Sequence, residues 1–277
     1  MEFSFWQMPA VPPLLVVTPT LGHSPFLAGM MADVAAVACR VPLQHVVVAP
    51  GAAGEALRQR WPDATVMAEP PDGGLYGAIN AAAAATMGWQ WLTWINDDDR
   101  LLPGFDEIWR RAQAGPASVD VWYGEVDYFD ADGRKVAAMP VCRRAADVPA
   151  LLAAGLAPFT QQGALIGRDL WIRIGGMNPA MRIAGDFDFW VRAAATDARF
   201  GYGPHTVAGY RIRAGQLSGG VMQAQDEIAA VLRRRDLSVS RLRRWMAVIR
   251  FRVANLPRIL QRARRTGRLR SRAMYAR

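Results

Sequence analysis

The sequence predicts an α/β fold, a mostly parallel Rossmann-like sheet flanked by helices and followed by a basic helical extension. Three observations carry this expectation. Short, continuously apolar runs alternate with helical segments from Leu14 onward. One such run, Trp91 to Ile95, leads straight into Asn96, Asp97, Asp98 and Asp99. From Arg233 to Arg277 there are sixteen arginines against one acid, Asp236, a net +15, so the rest carries −6 of the total +9. A mildly acidic body thus precedes a strongly basic tail, and we divide the chain into residues 1–222 and 223–277.

The elements follow in order. Leu14 to Thr18 is a fully apolar strand, and Pro25 to Ala38 has helical composition with Phe26, Leu27, Met30, Met31 and Val34 on one broad face. His45 to Ala49 reads as a second strand, Gly51 to Arg60 as a helix, and Ala64 to Ala68 as a third strand. Strands and helices alternating at this spacing imply parallel pairing through right-handed crossovers. Strands covered on both faces are apolar throughout, as these are. Pro70, Pro71, Gly73 and Gly74 make a rigid turn in which Asp72 is placed to cap the Ala-rich helix from Leu75 to Thr86. Trp91 to Ile95 follows as a central strand.

Val119 to Phe129 reads as a strand, the Ala-Asp-Gly at 131–133 as a hairpin turn, and residues 134–138 as its return. Residues 141–160 read as loop and short helix, and 161–177 as a strand, a glycine turn and a short helix. A helix begins near Ile183 with Asp186 and Asp188 in its first turn. Residues 200–220 form a strand and a loop carrying Arg211, Arg213 and Gln216.

Three successive carboxylates at a strand end repel one another and lose water, so something positive belongs beside them. Mg²⁺ and Mn²⁺ take oxygen ligands and share them with substrate phosphates. The carboxyl ends of strands in open α/β sheets are also where ligands bind. A solvated acidic turn capping the helix near Pro103 is the competing reading. Acids in a helix's first turn suit its dipole. Two of them among Phe187, Phe189 and Trp190 point instead to a partly desolvated carboxylate, raised toward values useful for a base. Arginines on a loop after a strand suit a pyrophosphate, or plain solvent.

Together these stretches resemble the family 2 glycosyltransferases of the GT-A fold, over roughly residues 14–218. LLVVTPTLG is similar to the opening strand and loop, and EPPDGGLYGAIN to a nucleotide-binding stretch. INDDDRLLPG is similar to the Asp-x-Asp segment, YGEVDYFDADGR to the strand and hairpin after it, RIAGDFDFWVRAA to the base segment, and GYRIRAGQLS to the closing loop. The resemblance implies a nucleotide-sugar donor against Thr18, Pro19, Thr20, Asp72, Tyr76, Asn80, Asn96, Asp97 and Arg213. It implies Mn²⁺ or Mg²⁺ on Asp98 and Asp99, and a catalytic base at Asp186. It assigns Gln161, Gln162, Asp188 and Trp190 to the acceptor or sugar pocket.

Five residues depart from the family pattern. Ala49 and Pro50 stand where a nucleobase-binding Asp is usual, and Asn96 replaces the first Asp of Asp-x-Asp. Gly185 precedes the base where Glu is common, and Arg213 stands where His is common. The implied reaction passes through an oxocarbenium-like state. A hydroxyl deprotonated by Asp186 attacks the face opposite the departing nucleoside diphosphate, which inverts the anomeric centre. The implied acceptor is a glycan or a lipid-linked glycan. A non-catalytic GT-A-like protein binding membrane or nucleic acid is the alternative. It predicts loss of acids at both key positions, and Asp98 and Asp186 are present. A sugar-nucleotide nucleotidyltransferase would need a Gly-rich basic loop after the first strand, which TPTLGHSP does not supply.

In the tail, Leu242, Trp245, Met246, Ile249, Val253 and Leu256 fall within an arc of about 100° on a helix. Arg241, Arg243, Arg244, Arg250 and Arg252 flank the opposite side, and Pro257 is expected to end the helix. An interfacial helix on anionic lipid, a nucleic-acid arm and a helix docked on its own body compete as readings. Lipid is favoured because lipid-linked acceptors lie there, and no nucleic acid is expected. On the lipid reading a body cut after Gln223 stays folded. Cys39 and Cys142 make no disulfide framework, and the N-terminus has Glu2 and no basic region of a secretory signal. No apolar stretch reaches a span of ~20 residues. The expected location is cytoplasmic, at most peripheral on the inner face of a membrane.

Overall fold

The computed structural model describes residues 13–116, 118–213 and 221–266. Strand β1 (Leu14–Pro19) pairs in parallel with β2 (Leu43–Ala49) on one side and with β4 (Trp91–Trp94) on the other, and β3 (Thr65–Ala68) extends the sheet beyond β2. The crossovers are α1 (Leu27–Ala38), α2 (Gly51–Arg60) and α3 (Gly74–Ala85). Leu14 to Val17 are fully buried, as a strand covered on both faces requires. In α1 the buried positions are Leu27, Met30, Val34 and Val37, spaced by three and four.

Beyond β4 the sheet changes character. β8 (Ala164–Gly167) pairs antiparallel with β4 and with β6 (Val121–Phe129), while β9 (Phe200–Arg211) runs parallel to β6. β5 (Arg100–Leu101) and β7 (Lys135–Ala138) add antiparallel to β9 and β6. The strand order is β3-β2-β1-β4-β8-β6-β9-β5, with β7 on β6. So the parallel half is the βαβ part, and the rest is mixed, because hairpin-type entries replace crossovers after α4 (Phe105–Ala114).

The order turns back at β1 and β4, the switch point at whose carboxyl ends open α/β sheets hold ligands in a crevice. Two short helices, α5 (Val148–Ala153) and α6 (Arg168–Ile174), lead to α7 (Gly185–Ala194), which lies under the sheet. Trp94 of β4 stacks on Trp190 of α7, centroids 6.5 Å apart and planes 13° from parallel. That contact ties the aspartate strand to the helix carrying Asp186.

Helices α8 (Val221–Arg234) and α9 (Arg241–Thr266) lie against this body. Asn255 is fully buried and bonds both the N–H and the carbonyl of Val141, at 3.0 Å each. Arg250 makes a two-point ion pair with Asp147, at 2.8 and 2.7 Å. Val231 and Ala247 belong to the main core. A body cut after Gln223 therefore loses buried contacts, contrary to the separability expected above. Pro257 does not end α9 either, since the helix runs on to Thr266. Proline forfeits one backbone bond there. Asn255 on one side, and Arg258 bound to Glu125 and to the Met139 carbonyl at 2.8 Å on the other, pin the helix across it. No helix among the described residues is long and apolar enough to cross a membrane.

Candidate active site

The acidic run leaves β4 at the crevice and divides its three carboxylates among different partners. Asp97 accepts a 2.5 Å hydrogen bond from Thr20, which joins the end of β4 to the loop after β1. Burial raises the Asp97 pKa, and the Thr20 bond opposes that shift. Asp98 pairs with Arg213, Nε to Oδ2 at 2.8 Å. Asp99 is buried under three donors: Gln162 Nε2 at 2.8 Å, the Arg211 N–H at 3.0 Å and Asn96 Nδ2 at 3.2 Å. Burial, and then the neighbouring Asp98, push the Asp99 carboxyl well above the usual range. Asp99 was expected beside Asp98 on the cation. It is instead an internal knot, because the β5–β9 pairing draws it against Arg211.

Arg211 reinforces the same knot. Its Nε donates to the Asp98 carbonyl at 2.8 Å, its Nη1 reaches the Asp130 and Ala131 carbonyls, and its guanidinium lies 4.3 Å over the Phe26 ring. Arg211 is thus structural, and Arg213 is the arginine at the acid. Among the described residues no three His, Cys, Asp or Glu side chains are grouped to hold a metal ion. A divalent cation needs only one or two protein carboxylates when substrate phosphates complete its shell, so Asp98 alone is a sufficient protein donor.

The base segment is built from the other side. Asp186 is half-buried in the first turn of α7, and its Oδ1 accepts from the Phe187 N–H at 2.7 Å. Burial raises its pKa to about 6. The Phe187 N–H and the residue's own backbone N–H oppose that shift. Tyr76 donates to the Ile183 carbonyl at 2.9 Å and accepts from Gly185 N–H at 3.0 Å. Asn80 closes two 2.8 Å bonds with the Met177 backbone. Both were expected on the nucleotide. Both instead moor the chain leading into α7, since α3 faces that segment.

Gly185 has a physical reason. A Cβ there would lie 2.5 Å from the Tyr76 ring, so the space that another side chain would occupy is already filled. A third mooring comes from α8. Glu227 accepts from the N–H groups of Arg182, Ile183 and Ala184 at 3.2, 3.0 and 2.8 Å. Nothing in the sequence marked Glu227, because its partners lie more than forty residues away.

The other expected positions fall as follows. Thr18 is buried and bonds His45 at 2.9 Å, and Pro19 is buried in β1, so neither is the open edge of the crevice. Burial lowers the His45 pKa to about 4, which leaves that ring neutral. Asp72 takes a left-handed backbone with φ +55 and caps no helix, since Gly73 occupies the N-cap. Gln161 and Gln162 are buried in the turn before β8, and Gln162 serves Asp99. Trp190 is packed between Trp94, Phe159 and Phe189 and is core rather than pocket wall. Asp188 binds Arg192 at 2.7 Å beside an open cavity of about 440 Å³. It leaves α7 about 200° round from Asp186, so the two acids face different sides. Gln216 and the rest of the expected closing loop, 214–220, lie outside the described residues.

Comparison with family profiles and with curated protein sequences gives no match. Solved structures do match. A mannosyltransferase from Pyrobaculum calidifontis, in complex with GDP-Man and Mn²⁺, is 16% identical at TM-score 0.60, covering 91% of this chain and 73% of that one. TarS residues 1–349 from S. aureus is 14% identical at TM-score 0.56, covering 92% and 73%. Mannosyl-3-phosphoglycerate synthase from Rubrobacter xylanophilus is 17% identical at TM-score 0.52, covering 83% and 79%. The fold is that of the GT-A glycosyltransferases.

Proposed function

We propose that the chain is an inverting, metal-dependent glycosyltransferase. It takes a sugar from a UDP- or dTDP-linked donor and places it on a hydroxyl of a glycan or lipid-linked acceptor, as in polysaccharide biosynthesis. The supporting observation is the division of labour between two carboxylates. Asp98 is buried and paired with the Arg213 guanidinium beyond the carboxyl end of β4. Asp186 is kept short of water at a helix start, with a pKa of about 6. Environments that differ in this way assign an electrostatic role to one acid and a proton-accepting role to the other.

Asp98 would hold Mn²⁺ or Mg²⁺ together with the donor's phosphates, and the ion would supply positive charge to the departing diphosphate. Arg213 stands at the same place and offers a planar fork of donors that suits phosphate oxygens. Asn96 and Asp97 border that subsite, and Asp97 holds the loop after β1 through Thr20. Asp186 accepts the proton of the attacking hydroxyl, for which burial has brought its pKa close to neutral. Tyr76, Asn80 and Glu227 keep it in place. In this reading residues 1–222 carry catalysis, and 223–277 serve the body and bring it to an acceptor at a cytoplasmic membrane face.

The test is a panel of UDP-, dTDP- and GDP-sugars, each with Mn²⁺, read as thermal stabilisation and as sugar transfer. The expected result is one donor whose stabilisation disappears in Asp98→Asn and persists in Asp186→Asn. Failure of every donor to stabilise the protein would overturn the proposal.

A further inference from the structure

Helix α9 is held by one face and bare on the other. Its held face carries Ala247, Phe251, Asn255 and Arg258, which pack on or bond to the body. On the opposite side Leu242, Trp245, Ile249, Val253, Leu256 and Leu260 stand in solvent. Leu242 is 64% exposed, Trp245 62% and Val253 66%. At 100° per residue these six positions span about 80°, so they form one straight stripe, roughly 27 Å long from Leu242 to Leu260. Most of the exposed large apolar side chains of the described residues lie on this single helix. The docking of α9 explains why the helix is ordered and leaves this stripe unexplained. An apolar patch of this kind marks an interaction surface.

Charge selects the occupant. Arg241–Thr266 contains nine arginines and no acid. Arg241 and Arg252 are exposed along one border of the stripe, and Arg264 is exposed at its far end. Four more arginines follow between residues 267 and 277. A second copy laid against the stripe would bring arginine borders together with no carboxylate on either helix to answer them, and like charges so placed repel. An anionic bilayer answers both features at once. Acyl chains receive the apolar stripe, headgroup phosphates receive the arginines, and Trp245 sits at the depth where indole rings are favoured.

We propose that the bare face of α9 is a membrane-contact surface that lies flat in the headgroup region of an anionic bilayer. The body then follows as a rigid attachment, because Asn255, Arg250 and Arg258 fix α9 to it. The proposal holds whether or not the chain transfers sugar.

The experiment uses the full chain and vesicles of phosphatidylcholine, with and without phosphatidylglycerol. The chain is expected to sediment with the anionic vesicles at low salt, to be partly released by high salt, and to ignore the neutral ones. The triple variant Leu242→Ser, Val253→Ser, Leu256→Ser leaves the docked face intact. It should partition at least ~10-fold less, with an unchanged melting temperature. Should it fail to fold, the pair Arg241→Gln and Arg252→Gln is expected to weaken binding to anionic vesicles and to flatten the salt dependence. Quenching of Trp245 by brominated lipid, lost in Trp245→Phe, would place the stripe in the bilayer. No sedimentation with anionic vesicles, or equal sedimentation of the triple variant, would overturn the proposal. So would a dimer that the triple variant abolishes without any lipid binding. Donor stabilisation in the same preparations separates this outcome from failure of the sugar-transfer reading.

Discussion

Asp98 and Arg213 form an ion pair of 2.8 Å at the carboxyl end of the central strand. Asp98 thus already has a cationic partner of its own. A donor diphosphate would therefore meet Arg213 and Asp98 together, one as its partner and the other through a metal.

Arg213→Ala is expected to weaken binding of UDP by ~10-fold or more, since it removes a charged donor to the phosphates. Binding of Mn²⁺ alone should not weaken, because the competitor for Asp98 is gone. Calorimetry with Mn²⁺, with UDP and with both decides this. Weaker Mn²⁺ binding in the variant would show that Arg213 orders the acid instead of competing for it.

Asp186→Asn should retain donor affinity and lower turnover by ~10² or more, as loss of a general base does. In the wild type, kcat/KM should rise with pH through about 6 as Asp186 loses its proton. Stability should move the other way. The folded state holds this proton more tightly than the unfolded chain, so the contribution is present below the unfolded carboxyl pKa of ~4 and is lost as pH rises through about 6. A rate profile flat between pH 5 and 7 would remove Asp186 from the proton transfer.

Gly185→Ala should destabilise the protein by ~1–3 kcal/mol, because the new methyl meets a Tyr76 ring held by two hydrogen bonds. Combined with Tyr76→Ala, its additional cost should vanish. Chemical denaturation of the four proteins measures the cycle, and full additivity would show that the close approach is relieved elsewhere.

Glu227→Ala leaves three N–H groups before α7 without their acceptor. A loss of ~1–2 kcal/mol and a drop in turnover with donor affinity kept are expected. Hydrogen exchange at Ile183 and Ala184 should accelerate. Unchanged exchange would show that the segment is held by Tyr76 alone.

The local pattern alone determined much of this protein. Continuous apolar runs determined β1, β2 and β4, because a strand covered on both faces has no other composition. Spacing by three and four determined the buried side of α1 and the apolar stripe of α9, since helical periodicity is written in neighbouring residues. The acids at the end of β4 and in the first turn of α7 were visible as types in place. Partnership was not visible. Whether Asp98 or Asp99 stays at the crevice depends on Arg211 and Gln162, which lie 112 and 63 residues away. Whether Tyr76 serves a ligand or the base helix depends on Gly185, 109 residues away. Pro257 was misleading for the same reason, as contacts with Val141, Met139 and Glu125 carry α9 through it. Periodicity is a property of adjacent residues, whereas desolvation, pairing and the choice of which face docks arise only when distant segments exclude water from one another. For that reason only the tertiary structure decided how each carboxylate is partnered and which side of α9 is left bare.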